Sequence, residues 1–124
     1  MKNTLALFKS LSDQNRLRVV AALLSFSELC ACQIKELLQI TGATVSRHMA
    51  LLIQAGLVDS RKDGKWVYYR LRNGQPEVNA LLQWVEQEIG DAAVVKTDRL
   101  NLNEIGSCDM IELCSKQRKS GSKA

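Results

Sequence analysis

The four cysteines of this chain form two close pairs, and their thiols are the groups best suited to chemistry. Cys30 and Cys32 form a C-x-C pair, and Cys108 and Cys114 lie together near the other end. Thiolates bind soft or borderline ions, and neighbouring thiols can also be oxidised to a disulfide. Because we expect a cytoplasmic protein, in which thiols stay reduced, the pairs indicate ion binding or redox chemistry.

Length and composition indicate one globular domain with a tail. The chain has 124 residues and a net charge of +4, which favours a polyanionic partner without identifying one. No apolar stretch approaches the length that spans a bilayer, and Lys9, Asp13 and Arg16 interrupt the apolar residues near the start. We therefore expect neither a secretory signal nor a membrane partner.

Apolar periodicity predicts a mainly α fold with a small β-hairpin. Asp63-Gly64 is a strong turn signal between two strand-forming segments, and Gly42 suits a tight turn between two helices. Beyond Lys96 no strong period is visible. The predicted order is α-α-α-α-β-β-α, which is a winged helix-turn-helix. The predicted helices cover residues 5–10, 12–24, 32–38, 41–55 and 76–90, and the predicted strands cover 58–62 and 65–71.

The predicted organisation is a domain of residues 1–97, for DNA binding and dimerisation, followed by a tail. Residues 98–124 form this C-terminal tail, which contains two cysteines and ends in a polar, basic segment. Its composition indicates partial disorder.

The helix from Thr41 to Ala55 is the candidate DNA-reading element. At about 100° per residue its core-facing arc holds three apolar residues, Val45, Met49 and Leu52. The opposite arc is short-chained and polar, and its Ser46 and Arg47 could reach phosphates or bases in a major groove. An ordinary amphipathic surface helix would carry the same residue types. The other outer positions are Ala43 and Gln54, with Thr44 at one edge and His48 between the arcs.

Three cations cluster at the predicted hairpin tip, where a wing could lie along the DNA backbone. Arg61, Lys62 and Lys65 surround Asp63-Gly64 and could neutralise phosphates. Alternatively, each of these three cations belongs to a solvated turn and contacts no DNA. His48, the one histidine, is a candidate DNA contact, a packed ring or, less readily, a metal ligand.

These residues, taken together, resemble the ArsR/SmtB family of metal-responsive winged-helix repressors, and in particular its arsenic-sensing branch. The resemblance covers residues 5–71 in order, with little change in spacing. The matching segments are LSD at 11–13, NRLR at 15–18, ELCAC at 28–32, TVSRH at 44–48, AGLV at 55–58 and GKWVYYRL at 64–71.

The resemblance implies a homodimer, formed by the first and last helices, that binds double-stranded operator DNA at an inverted repeat. It implies a repressor that is not an enzyme, has no catalytic residues and requires no cofactor to bind DNA. Trivalent arsenic or antimony would act as the inducer and release the operator of an arsenic-resistance operon. Cys30 and Cys32 carry over as inducer ligands, and Thr44, Ser46, Arg47 and His48 carry over as recognition-helix positions.

Two departures from the family pattern bear on specificity. Many relatives have Gln-Pro where this chain has Gly42-Ala43, so the operator preference can differ. Relatives with a third cysteine in the C-x-C segment have it where this chain has Lys35, and an ammonium cannot replace a thiolate. We therefore expect Cys108 or Cys114 to supply a further sulfur, from the same chain or its partner, unless both are incidental thiols of the tail.

The C-x-C spacing suggests a switch. Side chains at i and i+2 of a helix point apart, so two sulfurs reach one ion only where the chain leaves helical geometry. On this hypothesis, ion binding unwinds or shifts the start of the third helix and moves Arg47 out of register with DNA.

Alternative functions remain at this point. The same class of repressor could sense cadmium, lead or zinc, for which four thiolates would suit a tetrahedral site. Oxidation of Cys30 and Cys32 could replace ion sensing, and the cysteines could also be small buried core residues. From another class, a thiol-based metallochaperone would have no DNA role, but it would not need a helix-turn-helix followed by a basic hairpin.

Overall fold

The computed structural model describes residues 2–106, which form helices and one small sheet, and it supports the predicted fold class. None of the described helices is both long and apolar enough to cross a membrane. The elements in chain order are α1 (Lys2–Leu11), α2 (Gln14–Ser25), β1 (Leu29–Cys30), α3 (Ala31–Leu38), α4 (Gly42–Gln54), β2 (Val58–Asp63), β3 (Trp66–Leu71), α5 (Pro76–Ile89) and α6 (Ala93–Gly106).

Local hydrogen bonds explain where the helix-turn-helix begins and turns. The Thr41 hydroxyl accepts a hydrogen bond from the Thr44 N–H at 3.2 Å and caps α4. The turn before it depends on Gln39, which ends α3 in the left-handed conformation at φ 56°. The expectation that Gly42 makes this turn was wrong, because Gly42 is already the first residue of α4.

A three-stranded antiparallel sheet of order β1-β3-β2 connects the hairpin to the segment before α3. β2 and β3 form the predicted hairpin, and its two-residue loop is Gly64 and Lys65, with φ 63° at Gly64. β1 pairs with β3 through Leu29↔Tyr69 and Cys30↔Tyr68. Sequence periodicity could not predict β1, because two residues are too few to show an alternation.

One hydrophobic core joins residues from α2 through α6. The three apolar residues expected on the inner face of α4 are all buried, with Val45, Met49 and Leu52 at 2% exposure or less. They pack in one cluster with Val20, Leu29, Ile34 and Leu57. The predicted orientation of α4 is therefore confirmed.

Helix α6 is an element that the sequence analysis did not predict, and the expected domain boundary after residue 97 falls inside it. Its inner face carries Val95, Asp98 and Leu102, which are 2%, 3% and 1% exposed. The buried aspartate interrupts the apolar pattern and hides the period. Asp98 accepts two hydrogen bonds from Arg18 of α2, both at 2.8 Å, and this ion pair attaches α6 to α2.

We expect Asp98→Ala to lower the free energy of unfolding by about 3 kcal/mol, because it leaves Arg18 unpaired at a mostly buried position. The matched control is Asp91→Ala, since Asp91 is fully exposed and lies 4.0 Å from Lys96. We expect the control to change stability by less than about 1 kcal/mol. Urea unfolding of both variants checks this, and equal losses would contradict the proposed attachment of α6.

Candidate nucleic-acid interface and thiol site

The outer face of α4 matches the surface expected from the sequence. Ser46 and Arg47 are exposed, and so are Ala43 and Gln54. Thr44 is half-buried, and its hydroxyl lies 2.8 Å from the Thr41 hydroxyl, so it belongs to the helix cap while remaining at the edge of this face. Small polar side chains and one exposed guanidinium therefore cover the N-terminal half of α4, which is the part of a recognition helix that reads bases.

His48 occupies a different position from the other three predicted recognition residues. It is buried at 9% exposure, and its Nδ1 lies 3.0 Å from Nη1 of Arg16 on α2. The structure therefore separates His48 from the exposed face that carries Ser46 and Arg47. This is the packed-ring interpretation that the helical angles left open.

The hairpin presents two of its three predicted cations freely to solvent. Lys62 and Lys65 are exposed at its tip. Arg61 is engaged within the chain, because its guanidinium donates to both carboxylate oxygens of Glu28 at 2.6 and 2.7 Å. It also lies 4.5 Å from the ring centre of Tyr68. These hydrogen bonds from Arg61 hold the pKa of Glu28 below its ordinary value. No sequence signal identified Glu28 as this partner.

The cysteine pair lies at the junction between β1 and α3. Cys30 is extended, with φ −76° and ψ 149°, and is the N-cap of α3, whereas Cys32 lies inside that helix. The backbone N–H of Cys30 donates to Oε1 of Gln33 at 2.8 Å. The predicted helix 32–38 already left Cys30 outside, and the structure begins α3 one residue earlier, at Ala31. The chain therefore leaves helical geometry at Cys30 without a bound ion.

The two cysteines differ in oxidation state and in exposure. Cys30 is a free thiol, 1% exposed, while Cys32 is half-buried and is disulfide-bonded in this structure. Cys30 also lies near Tyr69, whose pKa is raised first by burial and then by the charge that a Cys30 thiolate would carry. Binding of an ion by both sulfurs therefore requires a reduced Cys32 and an opening that admits the ion to Cys30.

A third donor is not found in the described part of the chain. Among residues 2–106, no three His, Cys, Asp or Glu side chains are placed to hold a metal ion. Cys108 and Cys114, the predicted sources of a further sulfur, lie outside the described residues. Lys35, at the position where some relatives have a cysteine, is half-buried on α3.

A helix-turn-helix followed by a hairpin with exposed lysines is the arrangement of winged-helix regulators of transcription. Residues 13–60 match the family described as "Bacterial regulatory protein, arsR family". The chain belongs to this family. Over 100 residues it is 36% identical to the arsenic resistance transcriptional regulator ArsR1 of Pseudomonas putida, covering 80% of this chain and 77% of that one.

A second relative has a name that refers to a different ion, cadmium. The chain is 50% identical over 66 residues to the cadmium resistance transcriptional regulatory protein CadC of Listeria innocua. That match covers 53% of this chain and only 56% of CadC. Both relatives are described as regulators, which agrees with the expectation that this chain is not an enzyme.

Solved structures share the fold. HlyU from Vibrio cholerae superposes with a TM-score of 0.64 at 27% identity, covering 73% of this chain and 95% of that one. A domain from Mycobacterium bovis, described as a homodimeric winged helix-turn-helix DNA-binding domain, has a TM-score of 0.60 at 27% identity. This match covers 73% of this chain and 80% of that one.

We expect Lys62→Ala and Lys65→Ala each to weaken binding to any duplex DNA and to lower the salt slope of the binding constant by about 1. The matched variant is Arg61→Ala, which should change the slope less, because Glu28 already neutralises Arg61. Fluorescence anisotropy on a random duplex at rising salt checks this. An Arg61 effect as large as the lysine effects would show that Arg61 leaves Glu28 to bind phosphate.

Proposed function

We propose that this protein is a transcriptional repressor that leaves its operator when trivalent arsenic or antimony binds to Cys30 and Cys32. The observation that carries the proposal is the position of Cys30. It pairs with Tyr68 of the hairpin on one side and caps α3, the first helix of the helix-turn-helix, on the other. One ion at this residue would therefore act on the hairpin directly and on α4 through α3.

On the DNA side, α4 would enter a major groove with Arg47 forking onto a base edge and Ser46 and Thr44 reaching phosphates or bases. Lys62 and Lys65 would contact the adjacent backbone. The repressor would be a homodimer on an inverted repeat, with one α4 for each half-site. The homodimeric description of the Mycobacterium bovis domain supports this assembly. The exposed Leu5 and Phe8 of α1, at 53% and 60%, are consistent with a covered face in the dimer.

On the inducer side, soft thiolates suit trivalent arsenic and antimony, which prefer three sulfurs. Cys108 or Cys114, from the same chain or its partner, would supply the third sulfur. Both follow helix α6 in the sequence, and α6 contributes Leu102 to the core cluster that also holds Ile34 and Leu37 of α3.

The proposed release follows from the strand–helix junction. In the proposed release, binding of one ion by Cys30 and Cys32 rotates the first turn of α3 against β1 and strains the hydrogen bond from the Cys30 N–H to Gln33. The same movement pulls on the pairing with β3 and on the Glu28–Arg61 ion pair. A typical coupling of 1–3 kcal/mol would weaken operator binding about five- to 150-fold.

A divalent thiophilic ion is the second candidate inducer. The observation in its favour is the 50% identity to a protein described as a cadmium resistance regulator. Cadmium would need further donors beyond Cys30 and Cys32, and residues 2–106 offer no ready group of three.

DNA binding is tested first. We expect a sequence-specific complex with a fragment of the protein's own promoter, and we expect Arg47→Ala to weaken it by about 1–3 kcal/mol if Arg47 makes a bidentate base contact. The control is Gln54→Ala, at the far end of the same helix face. Anisotropy titrations against promoter and random duplexes measure both, and equal affinity of the wild type for the two duplexes would refute the repressor function.

Inducer release is tested on the preformed complex under reducing conditions. We expect arsenite or antimonite to release the wild type, whereas Cys32→Ser and Cys30→Ser should stay bound, because each removes a ligand. Cys32→Ser is the safer variant, since Cys32 is half-buried and Cys30 is in the core. Cys108→Ser and Cys114→Ser, measured in parallel, identify the third sulfur. Normal release of both Cys30 and Cys32 variants would show that the sensing site lies elsewhere, and release by cadmium alone would favour the divalent ion.

A further inference from the structure

The ion pair between Glu28 and Arg61 connects two parts of the sheet that are not neighbours. Arg61 lies on β2 and Glu28 directly precedes β1, whereas β3 lies between these two strands. Strands two places apart in a sheet are separated by about 10 Å, which an arginine and a glutamate side chain can bridge together. The Nε and Nη2 groups of Arg61 donate to the two carboxylate oxygens of Glu28 at 2.7 and 2.6 Å. We call this pair the sheet clamp.

The sheet clamp passes over Tyr68, the residue of β3 that lies between its two ends. Tyr68 is paired with Arg61 of β2 on one side and with Cys30 of β1 on the other. Cross-strand partners lie on the same face of a sheet, and the Arg61 guanidinium is 4.5 Å from the ring centre of Tyr68. One arginine therefore contacts β3 and the segment that leads into Cys30.

The sheet clamp also lies beside a residue that faces DNA in the proposed complex. Lys62 follows Arg61 in β2, and its side chain is exposed. Because successive side chains of a strand point to opposite faces, Lys62 lies on the face away from Tyr68. A change in the position of Arg61 therefore moves the backbone from which Lys62 extends.

We propose that Glu28 and Arg61 are positioning residues, which carry the effect of an ion bound at Cys30 and Cys32 to the hairpin. Glu28 is two residues before Cys30, so a rotation of the chain at Cys30 displaces its carboxylate. Arg61 either follows the carboxylate or loses it, and both changes alter the position of β2. This inference rests on the proposed inducer site and adds the residues that connect that site to the hairpin.

A second ion pair of the same sheet provides a matched control. Nε of Arg72 lies 3.5 Å from Oδ1 of Asp59, and both side chains are partly exposed, as in the sheet clamp. Asp59 lies on β2 and Arg72 directly follows β3, so this pair connects neighbouring strands. It therefore joins the same chemical groups without crossing to β1.

The test measures a release factor under reducing conditions. This factor is the Kd for the promoter fragment at saturating arsenite divided by the Kd without arsenite. Saturation keeps any change in arsenite affinity out of the comparison. Glu28→Gln and Arg61→Met break the sheet clamp from its two ends, and Asp59→Asn is the control. Binding to a random duplex is measured in parallel, and thermal unfolding confirms that each variant is folded.

We expect the release factor to fall at least about threefold in both clamp variants and to keep its wild-type value in Asp59→Asn. The double variant should fall no further than either single variant, because the two residues act as one unit. Release should be reduced rather than abolished, since α3 still connects the thiol site to α4.

Binding to the random duplex separates this role from a merely structural one. We expect Glu28→Gln to bind the random duplex more tightly than the wild type, because Arg61 loses the carboxylate that neutralises it, whereas Arg61→Met should not. A merely structural pair would change the Kd without arsenite and leave the release factor unchanged.

A wild-type release factor in either clamp variant would overturn the inference, because each substitution breaks the pair. An equal fall in Asp59→Asn would also overturn it, since the stability of the sheet would then determine release. If arsenite does not release the wild type, the proposed inducer function fails and the clamp has no ligand effect to carry. Normal release of the wild type and of both clamp variants would leave that function intact and reject the clamp alone.

Discussion

The pairing of two residues, Leu29 and Cys30, with the hairpin strand β3 is the constraint on which the arrangement of the DNA-facing elements depends. An extended backbone at Cys30 is required for this pairing, and it also ends the strand and begins α3. The direction of α3 determines where α4 lies, and β3 determines where the hairpin lies. A perturbation at this one junction therefore reaches both elements, which makes it a suitable place for a ligand to control DNA binding.

Several arginines that the structure describes bind other groups of the same chain. Arg18 pairs with Asp98, Arg61 with Glu28, and Arg99 with Glu86, while Arg16 binds carbonyl oxygens and His48. Net charge alone is therefore a poor guide to the DNA contacts of this protein. Arg47, Lys62 and Lys65 are exposed cations on the DNA-facing elements, and a phosphate or a base is the natural partner for each of them.

The helix-turn-helix and the hairpin are predictable from the sequence, because α4 and the two long strands have strong periods and clear turn and cap residues. Helix α6 is not, since one of its core-facing positions holds Asp98, and a charged residue in an apolar pattern indicates a surface position although this one is buried. The partner of Arg61 is not predictable either, because Glu28 is 33 residues away in sequence. The predicted DNA contacts Ser46, Arg47, Lys62 and Lys65 are exposed. Thr44 is half-buried at the edge of the reading face, and the ring of His48 is buried.

The sequence by itself determined the class of fold, the reading face of α4 and the residues with thiol chemistry, because these follow from local spacing and residue type. Only the tertiary structure decided how they are connected. It placed Cys30 against the hairpin, His48 against Arg16, and Arg61 on Glu28. Each of these contacts joins residues far apart in the chain, and their geometry depends on how whole elements pack, which no local pattern records.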